Sequence, residues 1–561
     1  MFSPQLTGAL IELCPSALRT TKWLGGAAAD PMRHQRCAGR FRTKGMENWR
    51  TPLLPVLIAL AFSGAVQAET FTVTRFDDHA PDGCVPADCS LREAAMAADD
   101  NDRFDPTDVI VLGAGNYALV RGQLPLHQNL IVQGAGSSIT HVSTDAPLLT
   151  GNDLSLDLRG VAIQTSDFNV VAIGNNGTLT LDDVATPPGG GTVQVSDIES
   201  DLEIRNSDLR DGAQCNQRAG ACSIIDSQLS SLYLIPSAGP GPTLTFSGSV
   251  LDGALNTADT LTGMVVHRAT LVDIADSTIT RTKKGFKDVG NALTVRVRRL
   301  NYAENAAPVS FGRNGTLQNA ADIEIIDSVF TSNSARAIRV AGQSTLLIRG
   351  TSFVSNQVNG NAGGAIVAED TANLNVENST FAGNTFTVDA AQAGARGAAI
   401  GYRNGAGVRI GLRHVTVTQP AFAPVGIQGF GIGGYGDVGE VVVDIYNSIL
   451  AASCRLDSGA LQQAVGNVES PGNSCQLGGL TNQINVTGAS LALGPLRDNG
   501  GPTLTREPAI TSVAVNVASS TRCLSTDQRG YQRPYPNASS GCDIGAVEVG
   551  ADERIFANGF Q

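Results

Sequence analysis

One short spacing, written many times along the chain, restricts what the chain can become. It is an apolar residue, a second apolar residue two positions on, and a third seven positions after the first. Three copies in a row read Ile323/Ile325/Phe330, Leu346/Ile348/Phe353 and Leu374/Val376/Phe381, and each is followed three residues later by an asparagine, Asn333, Asn356 or Asn384. Further copies stand at Leu154/Leu156/Val161, Leu202/Ile204/Leu209, Cys222/Ile224/Leu229 and Leu244/Phe246/Leu251. Others follow at Val272/Ile274/Ile279, Leu293/Val295/Leu300, Val408/Ile410/Val415 and Val443/Ile445/Leu450, while Leu179/Leu181 is partial, with Thr186 third. Successive third positions lie roughly 20 to 35 residues apart, the interval of a stacked repeat.

Residues two apart face the same side of a strand. Between the second and third positions comes an Asx–Ser pair, as in Asn206-Ser207, Asp226-Ser227, Asp276-Ser277, Asp327-Ser328, Asn378-Ser379 and Asn447-Ser448. Asx and Ser side chains bond the local backbone and tolerate bends, so the chain turns there and the third apolar residue faces inward from the next strand. A single coil of this kind cannot bury its inward face, whereas stacked coils can. The expectation is an all-β, right-handed parallel β-helix, with about twelve rungs at about 4.8 Å making a rod roughly 60 Å long.

The acidic balance, a net −13 over 561 residues, argues against nucleic acid, which is held through Lys and Arg at phosphates. Residues 1–45 show no period. Met46, Asn48, Trp49 and Arg50 precede an apolar run from Leu53 to Val66 and the triplet Val66-Gln67-Ala68. That is the form of a secretory signal starting at Met46 and cleaved after Ala68, too short to span a bilayer. Eight cysteines follow, Cys84, Cys89, Cys215, Cys222, Cys454, Cys475, Cys523 and Cys542, and an even number in an exported chain reads as disulfides. Pairing of sequence neighbours is preferred among the roughly 105 alternatives because each bond would pin a loop or cap. No CxxC motif exists, and His79, His127, His141, His267 and His414 show no metal or triad spacing.

From Phe71 the chain reads FTVTRFDD, then a Cys84–Cys89 loop, then SLREAAMAAD. Ser90 with Glu93 forms a capping box, and Leu91, Ala94, Ala95 and Ala98 make an apolar stripe, so a short helix is expected to cover the first coil. The stretch Cys89-Ser90-Leu91-Arg92-Glu93-Ala94 resembles the CSLREA domain of exported bacterial β-helix proteins, and IVLGAGNYAL looks like its continuation. Near the other end, LGPLRDNGGPT, DQRGYQRP and CDIGAVE resemble the choice-of-anchor Q module, with a departure at EPAITSVAVNVAS. The closing IFANGFQ is similar to short tails of some exported bacterial proteins. The implied organisation is a leader over 1–68, an N-terminal cap over 69–128, coils over 129–452, a disulfide-stabilised C-terminal module over 453–550 and a tail over 551–561.

Two clusters are candidates for binding. Asp99, Asp100, Asp102, Asp105 and Asp108 are dense enough for calcium, but they lack the spacing and glycine of an EF-hand, and a solvated cap-to-strand loop is the preferred reading. No other cofactor is implied. The stretch Thr280 to Arg299, read as an irregular insertion, holds Lys283, Lys284 and Lys287, the only lysines after residue 68, beside Arg281, Arg296, Arg298 and Arg299. A solvated loop is the preferred reading of such a patch, and on an acidic chain a site for an anionic glycan or another acidic surface is the alternative. The glycine-rich run Gly426 to Gly439 lacks the following Lys-Ser/Thr of a phosphate loop.

Catalysis leaves a fainter trace. β-Helix hydrolases need paired carboxylates at a fixed separation, and the polygalacturonase signatures Gly-His-Gly and Arg-Ile-Lys are absent, leaving Asp182-Asp183 alone. A lyase would have to draw on Lys283, Lys284 or Arg296 near Asp273 and Asp288. The expectation is a non-enzymatic exported protein that binds polysaccharides or cell-surface components. A polysaccharide lyase or hydrolase is the first alternative, and a structural matrix protein the second.

Overall fold

The structure, a computed structural model, describes residues 68–99, 107–124, 127–256, 258, 261–288, 294–312, 321–359, 364–387, 397–403, 407–419, 431–435, 440–537 and 541–551. The leader, Cys14, Cys37, Asp100, Asp102, Asp105, most of the glycine-rich run and the closing tail lie outside the described residues. Everything below concerns the unit Ala65–Gln561.

The chain winds into a right-handed parallel β-helix with three strand ladders. The first ladder opens with Thr70–Val73 and Asp108–Leu112, and closes with Val442–Tyr446 and Leu461–Val465. The second begins at Gly115–Leu119 and ends at Val468–Glu469, and these two ladders form one 27-stranded sheet. The third is a 13-stranded sheet from Leu149–Asn152 to Cys454–Arg455. Every pairing within these ladders is parallel, so each coil hands its edge to the next.

The repeat spacing sets the register. Ile323, Leu346 and Leu374 align on the first ladder, and Phe330, Phe353 and Phe381 align on the second. All six are fully or almost fully buried. Phe330 stacks on Phe353 with ring centroids 5.0 Å apart, and Phe353 on Phe381 at 4.7 Å. Three copies are misplaced by two residues. The aligned sets are Leu156/Leu158/Ile163, Val295/Val297/Tyr302 and Ile410/Leu412/Val417. A shift of two keeps every side chain on its own face, so apolar spacing alone does not distinguish the two registers. Coils also extend past the template at both ends: Ile110/Leu112/Tyr117 has the spacing with a tyrosine third, and one coil follows Leu450.

The Asx of each corner stands in the left-handed region, with φ 49° at Asn206, 48° at Asp226, 51° at Asp276, 51° at Asp327, 43° at Asn378 and 48° at Asn447. Asx tolerates this conformation, which reverses the chain between the first and second ladders. The serine after it faces inward and serves two coils. Ser227 Oγ donates to the Ile225 carbonyl at 2.7 Å and accepts the Ser207 N–H at 3.1 Å, and Ser249 Oγ accepts the Ser227 N–H. At the next corner Asn305, Asn333, Asn356 and Asn384 form a buried ladder. Asn356 Oδ1 accepts the Asn333 side-chain N–H at 2.7 Å, while Asn356 Nδ2 donates to the Phe330 carbonyl at 2.9 Å and to Asn384 Oδ1 at 2.8 Å. Backbone groups that a turn would leave unbonded inside the stack are thereby satisfied.

Helix α1, Leu91–Asp99, lies against the first coils. Its capping box forms as expected: the Ser90 N–H donates to Glu93 Oε2 at 2.8 Å and the Glu93 N–H to Ser90 Oγ at 3.3 Å. Arg92 holds buried Asp78 through two bonds of 2.7 and 3.0 Å and also reaches the carbonyls of Gly122 and Gln123. The four disulfides are those between sequence neighbours: Cys84–Cys89, Cys215–Cys222, Cys454–Cys475 and Cys523–Cys542.

The segment after the last coil folds back along the flank of the helix. Thr503 Oγ1 donates to the Gly350 carbonyl, Ser352 Oγ to Leu504, Thr380 Oγ1 to Gln528 and the Ala546 N–H to Thr416 Oγ1. Four of its charged residues, Asp527, Arg529, Arg533 and Glu548, are buried in a network of their own. Asp527 binds Arg529 at 2.9 Å and Glu548 binds Arg533 at 2.9 Å, with both arginine side chains fully enclosed. The second ladder is therefore covered over the coils from Ser352 to Ile449 and bare over the earlier ones.

Candidate functional site

The basic stretch is not an insertion. Thr278–Thr280, Phe286–Asp288 and Thr294–Arg298 are stations of one ordinary coil on the second, third and first ladders. This coil path separates the candidate residues. Arg296 and Arg298 stand on the first ladder, where Arg296 registers between Asp273 and Glu324, and Arg298 binds Asp273 at 2.9 Å. Lys283, Lys284 and Lys287 fall on the third ladder and the turn leading into it, where all three are exposed.

From there Lys287 joins an outward column that runs beside a groove. Alternation along the third-ladder strands sends every second residue outward, and one register column of these is Ala172, Gln194, Gln214, Tyr233, Val265, Lys287, Ser310. Tyr233 points out because its neighbours Leu232 and Leu234 are fully buried. Beside this column lies a cleft of about 700 Å³ with Phe168 and Ile235 on its walls, Tyr233 and Gln214 among its lining, and Leu261 toward the lysines. Phe168 is 67% exposed, Leu261 49% and Ile235 46%, which is unusual for large apolar side chains so close together.

Hydrogen bonds hold the walls. Tyr233 donates its hydroxyl to the Leu261 carbonyl. Asp211 accepts the N–H groups of Gly189 and Gly191 at 3.0 and 2.8 Å and a side-chain N–H of Asn256. Its carboxylate thus ties the Pro187–Gly191 loop to the groove. Asp167 accepts the Asn169 N–H at 3.2 Å, a local turn bond. The lysine end is fixed through the backbone, with the Thr262 carbonyl accepting the N–H groups of Lys283 and Lys284 at 3.1 and 2.9 Å. Lys287 sits two strands beyond Tyr233 in the same column, roughly 10 Å along the axis.

A second cleft, of about 670 Å³, opens on the bare part of the second ladder and shares Pro188 with the first. Its floor includes Ala162, with His141 on one side, and Asp208 bound to Arg210 at 2.9 Å on the other. Of the acidic cluster near α1, Asp99 binds His127 Nδ1 at 2.8 Å and its carbonyl accepts from Gln128.

Neither cleft was legible in the sequence. Third-ladder strands lie at varying distances from the asparagine corner, so no fixed offset marks them. The available signal was an aromatic residue between two leucines, Leu232-Tyr233-Leu234.

No protein-family model and no curated protein matches the chain. Among solved structures, the catalytic unit of the thermostable GH87 alpha-1,3-glucanase from Streptomyces thermodiastaticus strain HF3-3 is similar at 14% identity and TM-score 0.30, covering 71% of this chain and 67% of that one. Pectate lyase Pel9A is similar at 12% identity and TM-score 0.23, covering 86% and 97%. Among the described residues, no helix is long and apolar enough to cross a membrane.

Proposed function

We propose that the protein is an exported, adhesin-like β-helix that binds acidic polysaccharide in the third-ladder groove, at the bacterial surface or outside the cell. One observation carries this reading: apolar and aromatic side chains share an open cleft with side-chain amides, and Lys287 stands two strands beyond Tyr233 in the same outward column. Sugar rings present apolar C–H faces that suit Tyr233 and Phe168, and their hydroxyls suit Gln214 and Asn256. Carboxylate or sulfate groups suit the lysines. The CSLREA-like and choice-of-anchor-Q-like segments and four disulfides fit an exported protein.

Tyr233→Ala and Phe168→Ala should each weaken binding of acidic oligosaccharides about tenfold by calorimetry, the effect of losing about 1.4 kcal/mol of contact. Unchanged affinity in both variants would remove the groove from consideration. A hydrolase or lyase is the second reading, favoured by the second cleft with its His141, Asp208 and Arg210. It requires new reducing or unsaturated ends in the same incubations.

A further inference from the structure

The loop ahead of α1 brings together three groups that the linear spacing did not connect. His79 Nε2 lies 3.1 Å from Glu93 Oε1 and 3.6 Å from Asp82 Oδ1. One ligand atom from each residue falls within 4.8 Å of the other two. Both ring nitrogens of His79 are enclosed, and neither makes a hydrogen bond.

Glu93 is fixed before any ligand arrives. It is 2% exposed, with the Ser90 N–H on Oε2 at 2.8 Å and the Asp82 N–H on Oε1 at 2.9 Å. The Cys84–Cys89 bond closes the loop just after Asp82. A carboxylate is thus held in place against an imidazole whose ring nitrogens make no hydrogen bond.

We propose that His79, Asp82 and Glu93 bind a divalent transition metal ion of the zinc class, which fastens the Cys84–Cys89 loop to the N-terminus of α1. Zinc takes tetrahedral nitrogen and oxygen ligands at about 2.0–2.1 Å, so neighbouring ligand atoms stand about 3.3 Å apart, and the two His79 separations bracket that edge. Imidazole with carboxylates suits zinc, whereas calcium takes about six to eight oxygens. The Asp82 side chain is 73% exposed, so the fourth position faces solvent and takes water. Neither the sequence spacing nor the groove is involved.

The test uses metal-stripped Glu69–Gln561 with its disulfides intact, titrated with zinc chloride by calorimetry and with cobalt chloride by visible absorption. Wild type, His79→Ala and Asp82→Asn are compared. Both variants retain the Asp82 N–H and the Ser90–Glu93 box, and circular dichroism of the metal-free proteins confirms their folds. The expected result is one zinc equivalent bound by wild type with tetrahedral cobalt bands, and zinc affinity at least tenfold weaker in both variants. Excess calcium should not compete, and the metal should raise the melting temperature of wild type alone. Absence of saturable zinc binding in wild type, or equal zinc stoichiometry and affinity in His79→Ala, would overturn the proposal and leave a His79–Glu93 ion pair. Any zinc held at His127 and Asp99 would persist in both variants and is subtracted by the comparison.

Discussion

At the scale of single residues, the stack depends on polar side chains buried for the sake of the backbone. Asn356 bonds to the coils on both sides of it, and its removal would strand buried N–H and C=O groups. Asn356→Ala should destabilise the protein by about 1–3 kcal/mol, read as a shift in the denaturant midpoint. His414 occupies a corner station with φ 52°, fully buried between the Gly545 carbonyl and the Asn447 amide. Burial, reinforced by the Arg533 charge, holds its pKa well below the ordinary 6.5, so the ring is neutral when folded. The unfolded chain takes up this proton below the ordinary value and the folded chain does not, so stability is full above pH 6.5 and falls on acidification. The slope from this residue approaches about 1.4 kcal/mol per pH unit. His414→Asn, with the residue type that Asn378 and Asn447 supply at this corner, should remove that part of the pH dependence. An unaltered melting profile between pH 7 and pH 5 would assign the acid sensitivity elsewhere.

At the scale of elements, a coil is legible wherever its residues obey a fixed offset. The first and second ladders do, because the Asx–Ser turn between them has constant length, so inward residues and corners could be placed from the sequence. The third ladder could not, since the connection from corner to strand varies, and the groove was missed with it. The basic stretch stands out in the sequence for its charge, but its shape is that of an ordinary coil: Lys287 lies on the third ladder and Lys283 and Lys284 in the turn before it, while Arg296 and Arg298 lie on the first ladder. The metal candidate was missed because His79 meets Glu93 only through the fold of the disulfide loop. Phe353 lies between two stacked rings and is fully buried. Phe353→Asp should prevent cooperative folding, since an enclosed charge without a partner is costly. Phe353→Ala should cost about 3–5 kcal/mol. A melting temperature unchanged in Phe353→Asp would contradict the assigned register.

At the scale of the whole molecule, the helix divides into a covered part and an open part. The returning C-terminal segment occupies the flank over Gly350 to Asn447, through residues that stood out as motifs: Thr503, Gln528 and Ala546 make contacts, while Asp527, Arg529, Arg533 and Glu548 hold the segment together. Those motifs are accounted for by structure. The two clefts lie on the uncovered coils, and the proposed ligand is assigned to that end. Charge reversal of Lys283, Lys284 and Lys287 to glutamate should reduce retention of acidic glycans by at least tenfold, leave neutral glycans unaffected and leave the melting temperature unchanged.

The most direct measurement is incubation of Glu69–Gln561, beside Tyr233→Ala, with a panel of acidic and neutral polysaccharides, following retention and cleavage together. Saturable retention of an acidic polysaccharide by wild type, lost in Tyr233→Ala and without new chain ends, is the predicted result. Retention that Tyr233→Ala leaves intact, cleavage of any polysaccharide, or no retention at all would contradict it.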